Sequence, residues 1–267
     1  MKTYDIVLSI AGSDPSGGAG IQADIKAISA NGAYAATAIT SVVNENTQKV
    51  YGVHNVPVDF VEGQIRAVFD DLNVKAVKIG MLYSPELAHS VARLLKEYNA
   101  QNVVLDPVMV ATSGDSLMAQ ETIDVLRSEL IPLARVITPN IPEAEKLLSK
   151  SIASIDDIHL AATRLAELGS SVLLKGGHMQ GDLLIDVLCN VETMEKLELP
   201  QDKVATQNTH GTGCTLSSAI AAQLAHGKGL TSAVVAAKTY INEAIIAGAE
   251  YSIGKGHGPV CHFYKFF

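Results

Sequence analysis

Short, nearly unbroken apolar runs recur along the chain, separated by segments of helical periodicity. Residues 6–11, 36–43, 76–79, 103–105, 136–137 and 172–174 read as strands, and residues 21–28, 58–71, 85–98, 119–130, 142–149 and 155–168 read as helices. Strands without a polar face must be covered on both sides, so this alternation predicts an α/β fold with a mostly parallel central sheet. Residues 181–199 break the pattern with an antiparallel excursion, residues 183–188 and 192–199 about a turn near Asn190. Two Ala-rich helices, 215–225 and 231–249, follow a glycine-rich turn. No Pro/Gly/Ser linker divides the 267 residues, so residues 1–267 are expected to form one domain.

Composition narrows the function classes. Apolar residues make up 48% and charged residues 18% of the chain, which describes a packed globular protein and excludes disorder. A net charge of -8 and a pI near 5.4 argue against a broad nucleic-acid or anionic-membrane surface, so any phosphate site must be built locally. No leader-like segment and no apolar run of membrane-spanning length occurs, and the expected location is the cytoplasm. Cys189, Cys214 and Cys261 are far apart and include no Cys-x-x-Cys pair, which indicates neither a disulfide framework nor a structural zinc site.

Ligands of parallel α/β sheets sit beyond the carboxyl ends of the strands, so the segments that follow the strands carry the chemistry. The turn Asn208-Thr209-His210-Gly211-Thr212-Gly213-Cys214-Thr215 opens a helix. Gly211 and Gly213 permit positive φ, letting backbone N–H groups converge on an anion at the positive end of the helix dipole. The same field is expected to lower the thiol pKa of Cys214, although a cysteine at a tight helix start can equally be a small packing residue. Asp106 and Glu143 follow successive strands and supply oxygen donors that suit magnesium held through waters and phosphates; alternatively they are a turn residue and a helix-start carboxylate. Lys175, ahead of Gly176-Gly177, either projects over a phosphate or is a solvated strand-end lysine. Asp24 and Glu45-Asn46-Thr47 offer directional hydrogen bonds for a heteroaromatic amine or hydroxyl, or serve as caps and turns. Neither Gly-x-Gly-x-x-Gly nor Gly-x-x-x-x-Gly-Lys-Ser/Thr is present, so the anion site is of another type.

Taken together, the segment from Ala11-Gly12-Ser13-Asp14 to Gln22-Ala23-Asp24, Lys78-Ile79-Gly80-Met81, Leu105-Asp106-Pro107-Val108-Met109, Thr138-Pro139-Asn140-Ile141-Pro142-Glu143, Lys175-Gly176-Gly177-His178 and the 209–215 turn resemble, in order, the hydroxymethylpyrimidine and phosphomethylpyrimidine kinases of the ribokinase-like superfamily. The resemblance implies a three-layer α/β/α fold, ATP with Mg2+, and phosphorylation of a pyrimidine alcohol and then of its monophosphate in thiamine biosynthesis. It implies that Gly211, Thr212 and Gly213 form an anion hole, with Thr212 also touching ATP, and that Cys214 is the base where most ribokinase-like enzymes have an aspartate. Lys175 then stabilises phosphate, Asn140 belongs to the ATP site, and Asp106 and Glu143 surround the metal. Asp24, Glu45, Met81 and Val108 resemble the pyrimidine pocket, and Ala111-Thr112-Ser113-Gly114-Asp115 resembles a loop that orders on binding. A homodimer is expected from the same resemblance. Some relatives with this turn act on pyridoxal, which makes pyridoxal kinase the alternative; Glu45-Asn46-Thr47 fits the pyrimidine pattern better.

Overall fold

The computed structural model describes residues 2–109, 118–177 and 183–267. Six strands, β1 (Ile6–Ala11), β2 (Tyr34–Ile39), β5 (Val74–Ile79), β6 (Val103–Leu105), β7 (Val136–Ile137) and β8 (Ser171–Leu174), run parallel. The antiparallel pair β9 (Leu183–Asn190) and β10 (Glu195–Asp202) extends this sheet, giving the order β10-β9-β8-β7-β6-β5-β1-β2.

Successive side chains of a strand point to opposite faces, and each face has its own core. Leu8, Ile10, Val77, Ile79, Leu105 and Ile137 pack beneath helices α2 (Val58–Asp71), α3 (Pro85–Glu97), α4 (Gln120–Val125), α5 (Ile141–Leu148) and α6 (Ile155–Ala166). Val7, Ala76, Val104, Val136, Leu173 and Leu188 pack beneath α1 (Gly20–Ala30), α7 (Thr212–Ala225) and α8 (Leu230–Gly248). The result is the α/β/α sandwich that the apolar strands require. No helix among the described residues is long and apolar enough to cross a membrane.

The chain leaves β1 for β2 on one side and returns to β5 on the other, so the sheet changes winding direction at β1 and opens a crevice at its carboxyl end. Two features there differ from the sequence reading. The run 36–43 is not one strand: β2 stops at Thr40, whose N–H donates to the Ala11 carbonyl at 3.0 Å and whose hydroxyl donates to the Met81 carbonyl at 2.9 Å. These bonds turn the chain out of the sheet into β3 (Ser41–Glu45), which pairs with β4 (Val50–Asn55) in a separate antiparallel hairpin beside the crevice. β4 has no buried residue and therefore no apolar run to announce it. The helix expected over 119–130 is also shorter, because α4 gives way to a wide turn over Leu126–Leu130.

Candidate active site

A cleft of about 990 Å³ lies at the carboxyl ends of β1, β5, β6, β7 and β8, bordered by the β3–β4 hairpin and the start of α7. Glu45, Met81, Asp106, Val108, Asn140, Glu143, Lys175, Gly211, Thr212, Gly213 and Cys214 all line it. Residues drawn from six separate segments of the sequence thus converge on one cavity.

At the turn before α7, Gly211 has φ 75°, and a Cβ there would stand 1.8 Å from the Gly18 carbonyl oxygen. Only glycine satisfies both constraints. The helix begins at Thr212, three residues earlier than periodicity indicates, and its ladder first closes with the Thr215 N–H on the Gly211 carbonyl at 2.9 Å. The amides of Gly213 and Cys214 therefore precede the ladder and are open to an anion. Gly213 is not in a positive-φ conformation, contrary to expectation; its lack of a side chain instead makes room for Lys175 Nζ and Asp106 Oδ2, 3.3 and 3.5 Å from where a Cβ would be.

Cys214 is half-buried at the cleft wall, and the Gly20 N–H at the start of α1 donates to its sulfur, so two helix N-termini meet at the thiol. The expected lowering of its pKa does not occur. Burial pushes the thiol up to about 11, outweighing Lys78 and the Gly20 amide, and Asp24 and Asp106 add to the rise. The resting site holds a neutral thiol.

Lys175 Nζ lies 3.1 Å from Asp106 Oδ1, which also accepts from the Thr138 hydroxyl at 2.8 Å. Burial opposes charge on Asp106, but Lys175 and Lys78 hold it below the usual carboxylate range. Glu143 takes part in a capping box at the start of α5: its N–H donates to Asn140 Oδ1 at 2.9 Å, and its carboxylate accepts from the Asn140 N–H at 2.8 Å. Burial, reinforced by Asp106 against Lys175, pushes the Glu143 carboxyl up to about 7. Among the described residues Asp106 Oδ2 accepts only from the Ser217 hydroxyl, at 3.4 Å, which leaves it lone-pair capacity for a hard cation or its waters.

Asp24 does not line the cleft. It is wholly buried behind the wall, where it accepts from Ser9, Ser218 and both ways from Lys78, and Lys78 reaches the cleft in its place. A lysine inside the apolar strand β5 was a visible signal of that role. Asp14 and His210, overlooked singly although both lie in the quoted motifs, form a second buried pair, His210 Nε2 to Asp14 Oδ2 at 2.9 Å. With Glu45 they bring three polar atoms within 4.8 Å of one another. Asp14 Oδ2 already accepts from Gly18, Ala19, Ser16 and His210, so this cluster is saturated with hydrogen donors rather than prepared for a cation. The segment Ala111 to Asp115 lies outside the described residues.

Comparison with known proteins accounts for this convergence. The family model described as phosphomethylpyrimidine kinase matches residues 14–261. A hydroxymethylpyrimidine/phosphomethylpyrimidine kinase of Rhizobium meliloti is 47% identical, with 98% of each chain covered. Among solved structures, a pyridoxal kinase of Bacillus subtilis in complex with ADP superposes with a TM-score of 0.91 at 35% identity, covering 98% of this chain and 99% of that one. A phosphomethylpyrimidine kinase of Clostridium difficile gives 0.79 at 43% identity, covering 90% and 99%.

Proposed function

The chain belongs to the phosphomethylpyrimidine kinase family, and on that footing we propose that it transfers the γ-phosphoryl group of ATP first to 4-amino-5-hydroxymethyl-2-methylpyrimidine and then to the resulting monophosphate, in thiamine biosynthesis. The observation that carries this reading is the meeting of Cys214, the open amides at the start of α7 and the Lys175–Asp106 pair in a single cleft. Phosphoryl transfer asks a protein mainly for positioning and charge stabilisation, and this cleft supplies both.

The pyrimidine lies against Glu45, Met81 and Val108, with its hydroxymethyl group facing Cys214. As the hydroxyl oxygen bonds to the γ-phosphorus, the bond to the ADP oxygen breaks, and the hydroxyl proton passes to the Cys214 thiolate, the thiol having first given up its own proton to solvent. The thiolate is scarce at neutral pH but strongly basic, and the proton leaves late in a loose transition state, so a base of this kind suffices. The amides of Gly213 and Cys214, with Lys175, surround the transferring group, while Asn140 and Thr212 contact the nucleotide. Asp106 and Glu143 would hold a magnesium ion through its waters, where the ion supplies charge neutralisation to the nucleotide phosphates. Asp24 acts through Lys78 rather than by touching substrate. Family likeness also supports a homodimer working in the cytoplasm.

The closer superposition on a pyridoxal kinase supports a second reading, phosphorylation of pyridoxal or its relatives. ADP release measured with the pyrimidine alcohol, its monophosphate and pyridoxal separates the two. Turnover of both pyrimidines is expected; a much higher kcat/KM for pyridoxal reverses the assignment, and no turnover with either pyrimidine removes it.

A further inference from the structure

Glu45 sits at the end of β3 with a buried ion pair at its back. Asp14, from the loop after β1, is fixed as a carboxylate: its Oδ2 accepts from the Ala19 N–H at 2.7 Å, the Gly18 N–H at 2.9 Å, the Ser16 hydroxyl at 3.0 Å and His210 Nε2 at 2.9 Å, and its Oδ1 accepts from the Ser16 N–H at 2.7 Å. Glu45 places a second carboxyl within 4.8 Å of these atoms. Two carboxyl groups so close cannot both ionise cheaply, and Asp14 has the donors.

We propose that Asp14, held ionised by His210, is a positioning residue that keeps Glu45 in its neutral acid form, so that Glu45, whose proton faces Asp14 until a substrate arrives, then offers that substrate one O–H donor and one carbonyl acceptor side by side. This rests on the reading that an aminopyrimidine lies against Glu45. An aminopyrimidine presents a ring nitrogen acceptor next to an amine donor. A carboxylate offers acceptors only and would leave the ring nitrogen facing a lone pair, whereas the neutral acid satisfies both positions. Pyridoxal, a hydroxypyridine aldehyde, has no such paired edge, so the arrangement also selects between the two substrate classes.

The electrostatics agree with the geometry. Burial pushes the Glu45 carboxyl up to about 7; the Asp14 charge and a hydrogen bond to Asp14 act in the same direction, and His210 acts against them. Burial opposes charge on Asp14 as well, yet the bonds from His210, Ser16 and Ala19 hold it well below the usual range. Lys49, on the same hairpin as Glu45, and His257, from the C-terminal segment, line the same cleft. The pair therefore acts as a balance, with Asp14 raising and His210 lowering the proton affinity of Glu45.

Infrared spectroscopy of the full chain tests this, using the carbonyl band of a neutral carboxylic acid that disappears in Glu45→Gln. In the native chain the band should be present below neutral pH and titrate away with a midpoint of about 7. In Asp14→Asn, which loses the neighbouring negative charge, the midpoint should fall by about one pH unit or more; in His210→Asn, which loses the cation, it should rise by about as much. A merely structural role would disturb both variants alike, so shifts in the same direction overturn the proposal. Absence of the band in a native chain that phosphorylates the pyrimidine overturns it as well. A band that titrates as described in a chain without pyrimidine turnover overturns the substrate reading instead. If Asp14→Asn fails to fold, the upward shift in His210→Asn decides alone, and its absence counts against the proposal.

Discussion

Lys78 Nζ is 2.9 Å from both carboxylate oxygens of Asp24, and neither side chain is exposed to solvent. Ser9 and Ser218 donate to the same carboxylate at 2.6 and 2.7 Å, so the pair is fully satisfied where an unpaired charge would be very costly. It ties α1 to β5 and α7 directly behind the reacting end of the cleft. Lys78→Met should therefore destabilise the chain by about 3–5 kcal/mol in chemical denaturation, because it leaves Asp24 buried without its partner. Adding Asp24→Asn should recover part of the loss; strict additivity of the two substitutions would show that the pair does not act as a unit.

Removing the Lys175 ammonium should act on the chemistry rather than on uniform binding. Lys175→Ala is expected to reduce kcat by about 10²–10³, with a much smaller change in KM for ATP. A variant with native kcat and a raised KM would place the lysine in ground-state binding only.

Burial of Cys214 predicts an unreactive thiol despite its position at a helix start. Labelling by iodoacetamide, followed at Cys214 by mass spectrometry, should be slow at neutral pH and accelerate about tenfold per pH unit as the small thiolate fraction grows towards a pKa of about 11. Fast, pH-independent labelling around neutrality would mean that the helix fields overcome desolvation.

The contact between Gly211 and the Gly18 carbonyl joins the two ends of the sequence at the site. Gly211→Ala adds a methyl group at a left-handed φ into a backbone oxygen, so the turn must move. Loss of at least about 1–3 kcal/mol of stability together with loss of most turnover is expected; near-native values for both would show that the turn tolerates displacement.

Much of this site is legible in the sequence because its parts follow strand ends, and the strands are plain apolar runs. Lys175, Asp106, Glu143, Met81 and Val108 reach one cleft for that reason, and Cys214 is marked by the glycine turn that opens α7. What the sequence conceals is pairing across long separations. His210 and Asp14 lie 196 residues apart, and no local pattern distinguishes a buried carboxylate from a turn residue. The same limit reversed the expected direction for Cys214: the helix field is a local property readable from the turn, whereas desolvation depends on which distant segments enclose the sulfur. β4 is hidden for a third reason, since an exposed hairpin strand owes its pairing to β3 rather than to apolar residues of its own.

The central claim is that the turn before α7 is where the phosphoryl group is transferred and that Cys214 receives the hydroxyl proton. Steady-state ADP release by Cys214→Ala with the hydroxymethylpyrimidine, paired with calorimetric binding of the same pyrimidine, tests it most directly. The account predicts a fall in kcat of about 10²–10⁴ with pyrimidine affinity unchanged within a few-fold; turnover near the native rate would contradict it.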